Sequence, residues 1–203
     1  KSILLQNATI HIGNGQVIEK GAVGFRNGVI TYVGNVTNAK VAGYDSVAEV
    51  AGMHIYPGFI GMNTTMGLNE IEAVRATRDF NEIGELNPSV RAIIAYNTDN
   101  KSIPTVRCDG VLLCQVVPQG GLISGQSSVV QLDAWNWEDA AYKTDEGIHL
   151  NWPNMRILSY TNAPPLEEQQ VRMQKELSGI KTLFSDARAY VNSEVHDEVN
   201  LNL

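Results

Sequence analysis

The side chains best suited to metal or nucleophilic chemistry are few and scattered. Four histidines, His11, His54, His149 and His196, form no His-x-His, His-Glu-x-x-His or other ligand spacing. His11 falls in an N-terminal strand and His54 just before a Pro-Gly turn, while His196 sits in the charged run EVHDEV and reads as solvated surface. Cys108 and Cys114 match neither a zinc knuckle nor a redox Cys-x-x-Cys, so two buried thiols in or beside a strand are expected. Spacing alone does not decide whether they pair. Ser124, in GGLISGQSS, is outside a Gly-x-Ser-x-Gly elbow, and no His or Asp is placed by sequence to activate it. The same stretch lacks the Gly-Lys-Ser/Thr ending of a phosphate-binding loop. Trp135 and Trp137, followed by Glu138 and Asp139, could stack on a sugar or ring, but read first as packing residues.

Composition narrows the partners. With 43% hydrophobic residues and a net charge of -7, the chain is an ordinary globular one without a Lys/Arg-rich run. A nucleic-acid partner would need a basic footprint to displace counterions, and an anionic membrane surface would need the same. No apolar run approaches the ~18 to 20 residues that span a bilayer. The sequence begins at Lys1, so a removed secretory signal stays open.

The elements change character along the chain. Residues 1–55 read as short strands and tight turns, with Asn27-Gly28 between alternating apolar runs as a two-residue hairpin turn. VAEVAGMHIYPGFI gives a strand that stops at Pro57-Gly58 and restarts as FIGMN, a passage from one sheet into another. EIEAVRATRDFNEIGELN reads as a helix or irregular helical segment before Pro88. GVLLCQVVP has the length and continuous apolarity of a strand covered on both faces, as in a parallel sheet. GGLISGQSS reads as a glycine-rich loop. APPLEEQQVRMQKELSGIKTLFSDARAYVNSE reads as one long helix opened by prolines, with Met173, Leu177, Ile180, Phe184, Ala187 and Val191 on a core-facing stripe.

EVAGMHIYPGFIGMNTTM, residues 49–66, resembles the metal-dependent amidohydrolase superfamily, of the imidazolonepropionase and dihydroorotase-like group. There a small N-terminal β-sandwich leads through a Pro-Gly turn into the first strand of a (β/α)8 barrel, which ends in Asp-x-His-x-His. IPTVRCDGVLLCQVVPQGGLISGQSSVVQLDAWNWED is similar to a branch, often secreted, that carries Gly-Gly-Leu-Ile-Ser-Gly-Gln-Ser after the second barrel strand. With the N-terminal hairpins these matches cover most of residues 1–140, and the long helix resembles an insertion of the same branch. The resemblance implies an α/β fold. Residues 1–55 would be a β-sandwich portion, and residues 56–203 the first βα units of an incomplete TIM-type barrel with a long helix near the C-terminus. Gly120, Gly121, Ser124 and Gln126 would then lie at the pocket rim, since loops at the carboxyl ends of barrel strands shape the pocket.

The family's chemistry, hydrolysis of C-N bonds, rests on strand geometry: residues i and i+2 share a face, so two imidazoles converge on one ion. Here those positions are Asn63 and Thr65, and the acidic position before them is Gly61. A carboxamide and a neutral hydroxyl are poor zinc ligands. A (β/α)8 barrel takes about 250 residues, and fewer than 150 follow Pro57. The expectation is therefore a non-catalytic subunit or binding component with no catalytic residue and no cofactor. The remainder of a longer polypeptide, or a second amidohydrolase-like chain, would complete it outside the cytoplasm. An alternative is the N-terminal part of a working metal-dependent hydrolase. A third is a stand-alone binding module using the Trp-rich segment.

Overall fold

A computed structural model describes residues 1–193, 200 and 201, and it divides into two compact units, Lys1–Gly58 and Phe59–Leu203. His196 lies outside the described residues.

The first unit is one five-stranded sheet. Strands β1 (Ser2–His11), β2 (Val17–Arg26) and β3 (Val29–Asn35) form antiparallel neighbours, while β4 (Ser46–Glu49) and β5 (His54–Ile55) pair in parallel with β1. The β2–β3 turn falls at Asn27-Gly28, with φ of 51° and 78°. These are the left-handed values a two-residue turn needs to match the strand twist. Alternation along β1 sends Ala8 and Ile10 into a small core with Val23, joined by Ile18, Phe25, Val50 and Ile55.

The second unit holds a four-stranded sheet in the order β6 (Phe59–Thr64), β7 (Val111–Val116), β8 (Ile123–Gln131) and β9 (Ala141–Leu150). The β6–β7 pair is parallel, and β7–β8 and β8–β9 are antiparallel, so the sheet is mixed rather than all-parallel. Two short helices, α1 (Ser102–Cys108) and α2 (Trp137–Ala140), flank it. Leu68, Ile93, Tyr96, Ile103, Cys114, Val116 and Val130 make its core. Trp137 packs on that core, whereas Trp135 is exposed. Of the two cysteines, Cys114 is buried and Cys108 is exposed, and both are free thiols.

The long helix α3 (Leu166–Asn192) starts after Pro165, as the prolines imply. Gln169 is buried in its first turns and is satisfied by the Leu158 N–H and by the carbonyls of Leu158 and Pro164. The covered stripe runs through Met173, Leu177, Ile180, Leu183, Ala187 and Tyr190. Phe184 and Val191, expected on it, are exposed. From Leu177 onward the covered positions are spaced 3-3-4-3.

Two expectations are corrected. The segment 70–87 is not a helix: it holds a single 3-10 turn at Arg75–Thr77, and the Thr77 hydroxyl donates to the carbonyls of Ile71 and Val74. Ile71, Val74 and Ile83 are exposed, so no apolar stripe exists to stabilise a helix there. GGLISGQSS is a loop only as far as Leu122. From Ile123 it is β8, the most deeply buried strand of the second sheet, because tertiary hydrogen bonds take up its polar groups. Asn151 Nδ2 donates to Ser124 Oγ at 2.8 Å, Ser127 Oγ donates to Gly147 O, and Asp145 N donates to Ser128 Oγ.

Tyr96 yields a testable consequence of this core. Its ring lies against Gly67, where a Cβ would stand 2.3 Å from a ring carbon, and its buried hydroxyl has no hydrogen-bond partner among the described residues. Burial pushes the phenol up to about 12. An unfolded Tyr ionises near pH 10, so the stability tied to the neutral ring is intact below pH 10 and falls as pH rises toward 12. Urea unfolding at rising pH is expected to lose roughly 1–2 kcal/mol through this window, discounted for partial solvation. Tyr96→Phe should flatten that loss and leave neutral-pH stability equal or higher, since an orphaned hydroxyl is removed. An unchanged alkaline slope in the variant would refute the assignment.

Candidate functional site

In the superfamily that the sequence resembles, a metal sits at the end of the strand that corresponds to β6. Gly61 pairs with Cys114 and Thr64 with Val116, and the register breaks between them. Asn63 lies in that break with φ of 53°, so the strand leaves extended geometry there. Thr65 lies one residue past the strand. Alternation therefore does not carry Asn63 and Thr65 onto one strand face, as the i, i+2 argument assumes. The Asn63 N–H donates to Gln115 Oε1 at 3.4 Å, the Thr64 hydroxyl accepts from Met66 N at 3.1 Å, and Thr65 O accepts from Leu68 N at 2.9 Å.

Gly61 adds a steric fact that the sequence does not reveal. A Cβ at Gly61 would stand 2.9 Å from the Cys114 sulfur, closer than side chains pack. Cys114 is buried, and burial pushes its thiol up, against the smaller opposing effect of a hydrogen bond from the Gly61 backbone. A neutral, enclosed thiol is neither a ready ligand nor a nucleophile. The donor set at this strand end, a carboxamide, hydroxyls and a protonated thiol, does not fit a catalytic divalent ion. Among the described residues no three His, Cys, Asp or Glu side chains gather into a possible metal site.

The rim residues are separated by the structure. Gly121, with φ of 60°, borders a cleft of about 570 Å³ along α3, together with Glu85, Asn151, Arg172, Lys175 and Glu176. Gly120 O and Gly121 O both accept from Asn151 Nδ2. Ser124 is buried inside β8, and Gln126, also in β8, donates to Pro88 O at 2.9 Å. These two side chains hold the strand to its neighbours.

Sequence spacing missed one grouping. His11 Nε2 and His54 Nδ1 are 2.9 Å apart, and Tyr56 stacks on His11 with ring centroids 4.1 Å apart. The two histidines are 43 residues apart and meet only because β5 pairs with β1. His149, in β9, belongs to the second unit, and burial lowers its imidazole pKa.

Comparison with known proteins places this geometry in a fold. An amidohydrolase from Thermotoga maritima MSB8 superposes on 98% of the chain with a TM-score of 0.77 at 20% identity. The chain shares the fold of the matched part of that enzyme, and it spans about half of that structure's length, 53%. The ochratoxinase of A. niger aligns with 38% of this chain and 18% of its own, at 16% identity and a TM-score of 0.33, too weak to bear on the fold. No protein-family model and no curated protein sequence matches.

Proposed function

We propose that this chain is a non-catalytic, amidohydrolase-like component, a subunit or binding partner rather than a hydrolase. The observation that carries this reading is the strand end at Gly61, Asn63 and Thr65. The ligand side chains are replaced, the backbone turns left-handed at Asn63, and the Cys114 sulfur occupies the space an acidic side chain at 61 would need. In this reading the sheet of residues 1–55 is part of a β-sandwich. β6 and β7 are the first two strands of a barrel, β8–β9 an added antiparallel ribbon, and α3 an insertion. The fold shared with the Thermotoga amidohydrolase supports it. Completion would come from the remainder of a longer polypeptide or from a second amidohydrolase-like chain, and the setting would be periplasmic or secreted. Among the described residues no helix is long and apolar enough to cross a membrane.

A second reading has one observation in its favour. Because the chain covers only 53% of the Thermotoga structure, later strands could bring a complete ligand set from elsewhere, making this the N-terminal part of an active C-N hydrolase.

The test is metal content. After exhaustive dialysis, elemental analysis of residues 1–203 is expected to find no tightly held zinc, manganese or iron. About one retained ion per chain, lost in Asn63→Ala or Thr65→Ala, would overturn the proposal.

A further inference from the structure

We propose that His11 and His54 form a two-imidazole site for an exchangeable divalent transition-metal ion of the copper or nickel kind, on the exposed face of the first sheet. The site is independent of the β6 strand end and of the function proposed above.

Register creates it. Thr9 lies opposite His54 and Ile10 opposite Ile55 in the parallel β1–β5 pair. Side chains alternate between faces, so Ile10 and Ile55 go to the core and Thr9, His11, His54 and Tyr56 share the other face. His11 and His54 are then diagonal neighbours, within reach of long side chains. The Tyr56 ring lies on His11 within 10° of parallel, which restricts the imidazole. Much of the ordering entropy of one ligand is thus already lost before an ion arrives.

The two facing nitrogens meet nearly edge to edge, with centroids 5.2 Å apart and planes 25° apart. At 2.9 Å they share one proton, one ring donating and the other accepting. A metal ion can be bound by a lone pair from each ring once the donating imidazole changes tautomer, its proton passing through solvent to that ring's other nitrogen, and the ion then sits off the line between the two nitrogens. Neighbouring nitrogens around a tetragonal ion, each about 2.0–2.1 Å from it, lie about 2.9 Å apart. The nitrogens already lie near that separation, so binding requires the two lone pairs to be re-aimed toward one point beside the line joining them, chiefly by movement of the exposed His54 ring. Among the described residues neither imidazole hydrogen-bonds a carboxylate that would compete for it.

The chemistry selects the ion. Imidazole nitrogens suit Cu²⁺, Ni²⁺ and Zn²⁺, whereas Mg²⁺ and Ca²⁺ prefer oxygen. The tetragonal spacing favours copper and nickel over tetrahedral zinc. Two protein ligands leave the remaining positions to water or to a donor group of a bound molecule.

Calorimetric titration of the full chain with Cu²⁺, Ni²⁺, Zn²⁺ and Mg²⁺ tests this. One saturable equivalent in the micromolar range is expected, tightest for Cu²⁺ and absent for Mg²⁺. His11→Gln and His54→Gln should each weaken it by about tenfold or more, and His149→Gln should leave it unchanged. No saturable binding, or binding that survives the His11→Gln/His54→Gln double variant, would overturn the proposal. NMR of the unmodified chain removes any dependence on folded variants. Sub-stoichiometric Cu²⁺ should broaden the imidazole signals of His11 and His54 before those of His149, and uniform broadening would count against the site.

Discussion

Incubated with zinc, manganese or iron and a panel of cyclic amides, imidazolones and dipeptides, residues 1–203 are expected to show no chelator-sensitive hydrolysis. A bound metal lowers the pKa of water from 15.7 to about 7 and polarises the scissile carbonyl. Each tenfold of rate corresponds to about 1.4 kcal/mol of barrier, so a strand end that does not fit a metal forfeits many orders of magnitude. The nearest thiol, Cys114, is buried and held in its neutral form, and offers no substitute nucleophile. Restoring the family's residues with Gly61→Asp, Asn63→His and Thr65→His should also fail. The aspartate Cβ would meet the Cys114 sulfur at 2.9 Å, and position 63 lies at a φ of 53°, which does not aim a side chain as an extended strand does. The overpacking is expected to cost the triple variant roughly 1–3 kcal/mol of stability. Chelator-sensitive turnover by the unmodified chain would sink the non-catalytic reading.

Purified alone, the chain is expected to self-associate through β6. This strand lies at one edge of the second sheet and contains no charged residue, and Phe59, Ile60 and Met62 are 58%, 58% and 76% exposed. Leu112 on its neighbour β7 is 54% exposed. The opposite edge is protected differently: β9 carries Lys143 paired with Glu146 at 2.7 Å, and Asp145 paired with Arg91 at 2.8 Å. Charges blunt an edge against further pairing, and a long apolar edge invites it. Light scattering should therefore show concentration-dependent assembly, and Ile60→Lys with Met62→Lys should shift the population strongly toward monomer. A monodisperse monomer of the native chain, unfolding cooperatively, would show that β6 needs no partner.

The parts of the fold legible in the sequence are those fixed by neighbours in the chain. Asn27-Gly28 specifies its turn because only residues tolerant of positive φ fit it, and α3 follows from two prolines and a helical apolar period. β8 was hidden because Ser and Gly have poor strand propensity, and its serines are satisfied by groups on β7, on β9 and at Asn151, brought up by tertiary structure. The segment 70–87 differs in the other direction, since Ile71, Val74 and Ile83 are exposed while Phe80 packs on the core from a stretch without helical hydrogen bonding. At the candidate site, residue identity at Asn63 and Thr65 could be read directly. The left-handed turn, the Cys114 contact at Gly61 and the meeting of His11 with His54 depend on long-range register, which local sequence does not encode.

The parallel pairing of β6 with β7 also bears on the order in which the chain can fold. Phe59 pairs with Val111, so roughly fifty residues must be looped before the first contact of that pair rewards the closure. The strands β1, β2 and β3 form through short turns and pay far less chain entropy. High contact order slows folding. During synthesis the apolar strand β6 would therefore emerge early and wait, unpaired, until β7 followed. That interval is when a holding chaperone, or a partner strand captured in its place, would have its greatest influence on the final product.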